Sequence, residues 1–442
     1  MTDPTNEAKA LGVFPCVSAA SASKALIARS TLDSTRALFE GVMTRRLSRP
    51  SELEYARRAL DLLESLNESA LEPEFYEWYF RAIAHMRAGE LTSLPQHLRR
   101  LPSVCALPLI RAGLLDRKRG EPLDIELVNG SLILSERESL NGLPYRLGSP
   151  VRLQSSGSIV EARSADGQLV ELNWELLDRF GRYPIPDCPF EFWQAGFALH
   201  RAATGFEREL ASAYTIREPF RPIAPREFEE PGRYAVYSQR FSSGLNLIRR
   251  CWPELFDEIW VLNKHFCLIR GNPFIGGTGL HCLGVTFLHL EPDWPELCFP
   301  DHVVHEAAHQ RLSVEFELEP ALFNGDFIGA VSPIRSDPRP LHGILQATFV
   351  FLRLAQFFER VMATEPSLNA EQRFHRHVRG LYDGMSELER HAQWTPRGSR
   401  LFESMCQVTE RLKSVISRPD RSLYSHVGPD YGVREADSSM AG

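Results

Sequence analysis

The segment His305-Glu306-Ala307-Ala308-His309 lies inside a helix-patterned run from Asp301 to about Glu317, and it constrains the fold more than any other stretch of the chain. On a helix, residues four apart stand one above the other on the same face. Both imidazoles can therefore reach one metal ion, with Glu306 held beside them. His302, His305 and His309 share that face at spacings of i, i+3 and i+7, and the neighbouring Val304 and Ala308 are apolar. A face of this kind is expected to be buried or to line a cleft. Two neutral histidines stacked there need a shared partner, which a cation supplies.

The rest of the chain has to supply the surroundings of that helix. At 442 residues there is enough chain for two or three domains and a large core. Three patterns follow one another. Residues 1–30 are weakly patterned. From Thr31 to about Leu114 the apolar positions recur at helical spacing, as in Leu60, Leu62, Leu63 and Leu66. From Pro122 to Leu177 the period shortens. Asp124–Val128, the turn Asn129-Gly130 and Ser131–Leu134 read as a hairpin, and Val151–Leu153, Ile159–Ala162 and Leu169–Leu172 as further strands. The third stretch alternates helices (Phe190–Tyr214, Arg240–Phe256, Leu341–Ala363, Ala370–Gln393, Pro396–Ile416) with strand-forming runs at Glu258–Leu268 and Leu280–Leu290. The fold class expected is α+β, mostly helical, with a small antiparallel β unit and a C-terminal metal-binding α/β region. The divisions expected are a helical region over 1–120, the β unit over 121–189, the metal-binding catalytic domain over 190–420 and a polar, disordered tail over 421–442.

Composition narrows the partners. A net charge of -7 gives no reason to expect nucleic acid or an anionic membrane. The apolar runs are short, and Phe349-Val350-Phe351-Leu352 stops at Arg353, so no membrane span is expected. The polar start of the chain lacks the basic and apolar regions of a signal peptide. Eight scattered cysteines with no C-x-x-C spacing fit reduced thiols in a cytoplasm rather than a thiolate zinc site.

A catalytic metal needs a third ligand and an open position. His342 is the first candidate, at the start of a strongly apolar helix; Asp337, Glu317, Glu319 and Gln346 are weaker ones, while His281 and His289 read as structural. His342 follows the stiff block Ser332-Pro333-Ile334-Arg335-Ser336-Asp337-Pro338-Arg339-Pro340. Arg335 and Arg339 there matter for the reaction, because a guanidinium grips a carboxylate bidentately.

Together, His305 to His309 and the block from Ser332 to Gln346 resemble the HExxH-type peptide β-hydroxylases, Fe(II)- and 2-oxoglutarate-dependent enzymes associated with ribosomally made, post-translationally modified peptides. The resemblance spans about residues 270–365. It implies that His305 and His309 hold iron and that Arg335 and Arg339 stand at the family's arginine positions, where a guanidinium holds the distal carboxylate of 2-oxoglutarate. It also implies oxidative decarboxylation to succinate and CO2, coupled to hydroxylation of a β-carbon in a peptide or carrier-bound amino acid. Glu306 would then orient a ligand histidine rather than act as a base. The alternatives are a zinc metallopeptidase, in which Glu306 is the general base on a zinc-bound water, and a non-catalytic peptide-binding scaffold. The N-terminal helices and the β unit are candidates for binding a leader peptide or for forming a homodimer.

Overall fold

The computed structural model describes residues 11–44, 73–87, 182–193, 233–270, 276–333 and 339–413. It also describes the strand segments 123–126, 150–156, 159–164, 169–173 and 224–225, and scattered single positions. In chain order the elements are α1 (Val17–Thr44), α2 (Pro73–Arg87), β1 (Leu123–Glu126), β2 (Pro150–Ser156), β3 (Ile159–Ser164), β4 (Leu169–Asn173), β5 (Arg182–Pro184), β6 (Glu191–Trp193) and β7 (Ala224–Pro225). They continue with α3 (Arg233–Cys251), α4 (Pro253–Leu262), β8 (His265–Arg270), β9 (Gly276–Gly277), β10 (Val285–Leu288), α5 (Cys298–Phe316), β11 (Ile328–Ala330) and β12 (Arg339–Pro340). Three long helices close the described chain: α6 (Leu341–Thr364), α7 (Leu368–His391) and α8 (Pro396–Lys413). The described residues are mostly helical, in keeping with an α+β chain.

Strands β1 to β4 form one antiparallel sheet in sequential order. The strand expected at Asp124–Val128 starts here at Leu123 and pairs with β2, Ile125 opposite Val151. The turn Asn129-Gly130 and the strand expected at Ser131–Leu134 lie outside the described residues. A second sheet runs β5-β6-β8-β10-β9, with β7 on β8. Its centre is parallel, β6 to β8 and β8 to β10, and its outer pairs are antiparallel. Phe192, Phe266, Leu268 and Leu288 are buried from this sheet into the main core, which also takes Phe299, Val304 and Leu312 from α5.

Helix α5 is buried nearly all round, with 16 of its 19 residues inside. It packs against α6, α3, α1 and α4 and lies beside β9 and β10. It begins at Cys298, three residues before the expected start at Asp301. Pro300 is accommodated because the first-turn N–H groups have no intrahelical acceptor in any case. A helix enclosed this way must satisfy its polar side chains internally. Arg311 Nη1 donates to Glu315 Oε2 at 2.7 Å, and its Nε lies 3.5 Å from Glu258 Oε2; Arg353 Nη2 donates to Glu258 Oε1 at 2.7 Å. Arg397 of α8 closes the network on Glu315.

Three local expectations change. The first 30 residues are not patternless, because α1 begins at Val17 and buries Ala20, Ile27, Thr31 and Leu38 at helical spacing. Its residues are small, which is why the stripe is faint in the sequence. Ser23 Oγ donates to Glu315 Oε2 at 2.9 Å, so α1 is tied directly to α5. The run from Glu258 is not a strand: α4 holds Ile259 and Leu262 on its buried face and ends before β8 begins at His265. Pro253 starts that helix at its first position, and burial of Leu255, Phe256, Ile259 and Leu262 outweighs the β preference of the branched residues. Finally, the helix expected from Phe190 starts instead as β6, where Phe192 pairs with Phe266; most of the remainder of that stretch lies outside the described residues.

Helices α6 to α8 follow the sequence closely. Thr395 caps α8 by accepting from the Gly398 N–H at 3.1 Å, with Pro396 first in the helix. Helix α6 is apolar and long enough to cross a membrane by composition, yet 78% of its most apolar window is buried inside the protein. It is a core helix against α5 and α7.

Candidate metal site

The helical spacing does bring His305 and His309 together. Their Nε2 atoms are 3.1 Å apart, with the two rings at 66°. Two nitrogens bound to one ion at ~2.1 Å are ~3 Å apart when the bond angle is near a right angle. The pair therefore has the separation of two cis ligands of a single cation. His305 is buried and His309 is partly exposed.

The tautomer of His309 follows from its other nitrogen. Nδ1 is 2.9 Å from Oε1 of Gln346, one helix away on α6. An amide oxygen only accepts, so Nδ1 carries the proton and donates. In the neutral ring Nε2 is then the bare nitrogen, and it points at His305. Gln346 is itself held, since its Nε2 donates to Ser313 Oγ at 3.3 Å.

Burial keeps these rings neutral. It pushes His305 well below the usual histidine range, with His309 next to it adding to the effect. Burial lowers His309 too, and the hydrogen bond to Gln346 works in the opposite direction. His302, one turn earlier, is pushed down to about 4 by burial, and its Nδ1 sits 2.6 Å from the Cys298 carbonyl. Neutral imidazole is the form that ligates metal.

Glu306 is enclosed on the other side of the helix, 4% exposed. A Cβ added at Gly276 would meet its Oε1 at 2.6 Å, so the glycine strand β9 lies directly on this carboxyl. Burial pushes its pKa up to about 8. A turn before His305, Asp301 contacts the Arg373 guanidinium and lies 3.2 Å from His377 Nε2. Burial alone would raise that carboxyl, but His377 and Arg373 hold it below the usual carboxylate range. Sequence reading passed over this α5–α7 link, because Arg373 and His377 are 72 and 76 residues from Asp301.

The expected third ligand does not join the pair. His342 stands 61% exposed by its side chain, with Nδ1 3.1 Å from the Gly325 carbonyl and 3.8 Å from Asp326. It is the second residue of α6, whereas Gln346 one turn on is the residue that faces α5. Among the described residues no third histidine, cysteine, aspartate or glutamate completes a metal-holding group with His305 and His309. Glu319 is engaged by Arg397 at 2.6 Å, and Glu317 lines a cavity beside the C-terminal end of α5. His289 pairs with Glu291 at 3.0 Å, a structural role. Arg339 is buried in β12, opposite Ala330 of β11. Arg335 and Asp337 lie outside the described residues.

A cavity of about 750 Å3 lies beside the C-terminal part of α5. Leu312, Phe316, Leu322 and Leu345 give it an apolar wall, while Glu317, Asp326, His281 and His342 are its polar ones. Gln346 and Ser313 are part of the same wall, so the residue that holds His309 also faces the cavity. None of His305, Glu306 and His309 is among the lining residues. Compared with known proteins, the chain matches no family model and no curated protein.

Proposed function

We propose that this chain is a metal-dependent oxygenase that uses Fe(II) and 2-oxoglutarate to hydroxylate a β-carbon of a peptide or carrier-bound amino acid. The observation that carries the metal is the 3.1 Å approach of the two Nε2 atoms, with the His309 nitrogen left bare by its hydrogen bond to Gln346. A bare nitrogen at that distance from its neighbour takes either the neighbour's N–H or a cation. His305 and His309 supply two positions of a ligand set. When bound, Fe(II) with 2-oxoglutarate supplies the oxidising power to place a hydroxyl on an unactivated carbon.

The choice of an oxygenase over a peptidase rests on two features. The first is the proline-arginine block before α6, whose Arg339 is a buried guanidinium of the kind that grips a carboxylate. The second is Glu306. A general base must reach the metal-bound water and the substrate, whereas this carboxyl is closed in under Gly276. Its role in this reading is to shape the floor beneath His305. The chain's own work is to keep both imidazoles neutral and aligned and to hold water away from them.

The test is anaerobic addition of Fe(II) and then 2-oxoglutarate to the purified protein, followed by O2. A visible charge-transfer band on adding 2-oxoglutarate and succinate on adding O2 are the expected results. Absence of both overturns the oxygenase, and peptide cleavage with zinc alone replaces it with the metallopeptidase. Arg339→Ala is expected to weaken 2-oxoglutarate binding about tenfold or more, since a hydrogen bond to a charged group is worth ~1.5–3 kcal/mol.

A further inference from the structure

Gln346 occupies a place that neither the motif nor its spacing assigns. It lies 37 residues beyond His309 and on a different helix, and its amide is used at both ends: Oε1 takes the His309 Nδ1 proton at 2.9 Å, and Nε2 donates to Ser313 Oγ at 3.3 Å. In this orientation the amide oxygen faces His309 and the amide N–H faces Ser313. Were it turned over, an N–H would oppose Nδ1, and His309 would have to carry its proton on Nε2, the nitrogen aimed at His305. Metal-binding histidines commonly donate their distal N–H to such a partner, which sets both ring orientation and tautomer. The same side chain is wall to the 750 Å3 cavity, so Gln346 lies between that cavity and His309 in the hydrogen-bond chain.

We propose that Gln346 is the positioning residue of the metal site, selecting the Nδ1–H tautomer of His309 so that its Nε2 faces the ion. This rests on the reading of His305 and His309 as metal ligands. A glutamine suits the role because it accepts the proton without adding a negative charge next to a buried ring. A leucine of similar length fills the space and cannot accept.

Two measurements on the full chain test it. Long-range nitrogen–proton NMR of the metal-free protein reads the tautomer directly and is expected to show His309 protonated at Nδ1 in wild type. Gln346→Leu should lose that preference. In parallel, Co(II) affinity is measured by competition with a chromophoric chelator. Gln346→Leu should weaken it about 10- to 100-fold, whereas Gln346→Glu, which still accepts the proton, should stay near wild type. Ser313→Ala, which frees the amide without touching His309, should give a smaller loss and serves if Gln346→Leu unfolds. Wild-type affinity retained by both Gln346→Leu and Ser313→Ala, or an Nε2–H tautomer in wild type, overturns the proposal alone. A wild-type protein that takes up no Co(II) overturns the metal reading and this proposal with it.

Discussion

Helix α5 carries two buried polar clusters that have been handled in opposite ways. Towards α1, α4 and α8, Arg311 meets Glu315 and Glu258, Arg353 shares Glu258, and Arg397 closes on Glu315. Charge is met by charge within the protein, and the backbone N–H of Cys16 adds a donor to Glu258 at 2.8 Å. Towards α6, His305 and His309 meet nitrogen to nitrogen at 3.1 Å, kept neutral by burial. One cluster is complete without any further atom and ties α5 to its neighbours. The other brings two ring nitrogens to one point, where nitrogen faces nitrogen rather than an opposite charge. Buried polar groups on one helix thus differ in whether opposite charge is already beside them.

Breaking the charged cluster is expected to have the largest effect on folding. Arg311→Met leaves Glu258 and Glu315 buried without that guanidinium, and should cost ~3–5 kcal/mol in a denaturant titration. A cost below ~1 kcal/mol would mean that the network is not the scaffold it resembles. His305→Ala and His309→Ala should behave differently, abolishing Co(II) and Fe(II) uptake while the metal-free chain still unfolds cooperatively. If either variant binds metal as well as wild type, the two clusters are not functionally distinct.

Gly276→Ala probes the floor between them. Its methyl would meet the Glu306 Oε1 at 2.6 Å, and overpacking of this kind should cost ~1–3 kcal/mol. Glu306→Gln tests the same carboxyl through pH. Its folded pKa is raised to about 8 from 4.5, so the folded state holds a proton that the unfolded chain has lost. That contribution is fully present below pH 4.5 and is lost as pH rises to about 8. The buried histidines act the other way, costing stability only as pH falls below 6.5. Between pH 6.5 and 8 the metal-free wild type should therefore lose stability as pH rises, and Glu306→Gln should flatten that slope. Equal slopes in thermal melts across the window would refute it. His342→Ala should have the smallest effect, within ~0.5 kcal/mol of wild-type stability and with Co(II) affinity unchanged; a large loss of affinity would restore His342 as a ligand.

How much of this was legible in the chain depended on the reach of each interaction. The His305–His309 pair needs only one helical turn, and spacing revealed it. Helices α6 to α8 and strands β2 to β4 have strong periodic patterns and local caps or turns, and their positions followed. Helix α1 was missed before Thr31 because only Ala20, Ile27 and Ala28 are buried along that part of it, too few large apolar residues to mark a stripe. Helix α4 was misread because Ile259 and Val261 prefer strands in isolation. Gln346 was weighed only as a weak ligand, and its contact with His309 spans 37 residues, a distance at which no spacing rule operates. His342 was favoured on residue type alone, and the turn of α6 that points Gln346 at α5 leaves His342 on the exposed rim.

By itself, the sequence determined that two imidazoles would share one helical face, because 3.6 residues per turn stacks positions four apart whatever surrounds them. It also determined the apolar helices that enclose that face and the α+β character of the chain. Only the tertiary structure decided that Gln346 rather than His342 meets the pair, that Glu306 is shut beneath Gly276, and that Arg311 is neutralised by Glu258 and Glu315. Those outcomes depend on how helices separated by tens of residues rotate against each other when the core closes, and close-packing of the whole interior sets that rotation.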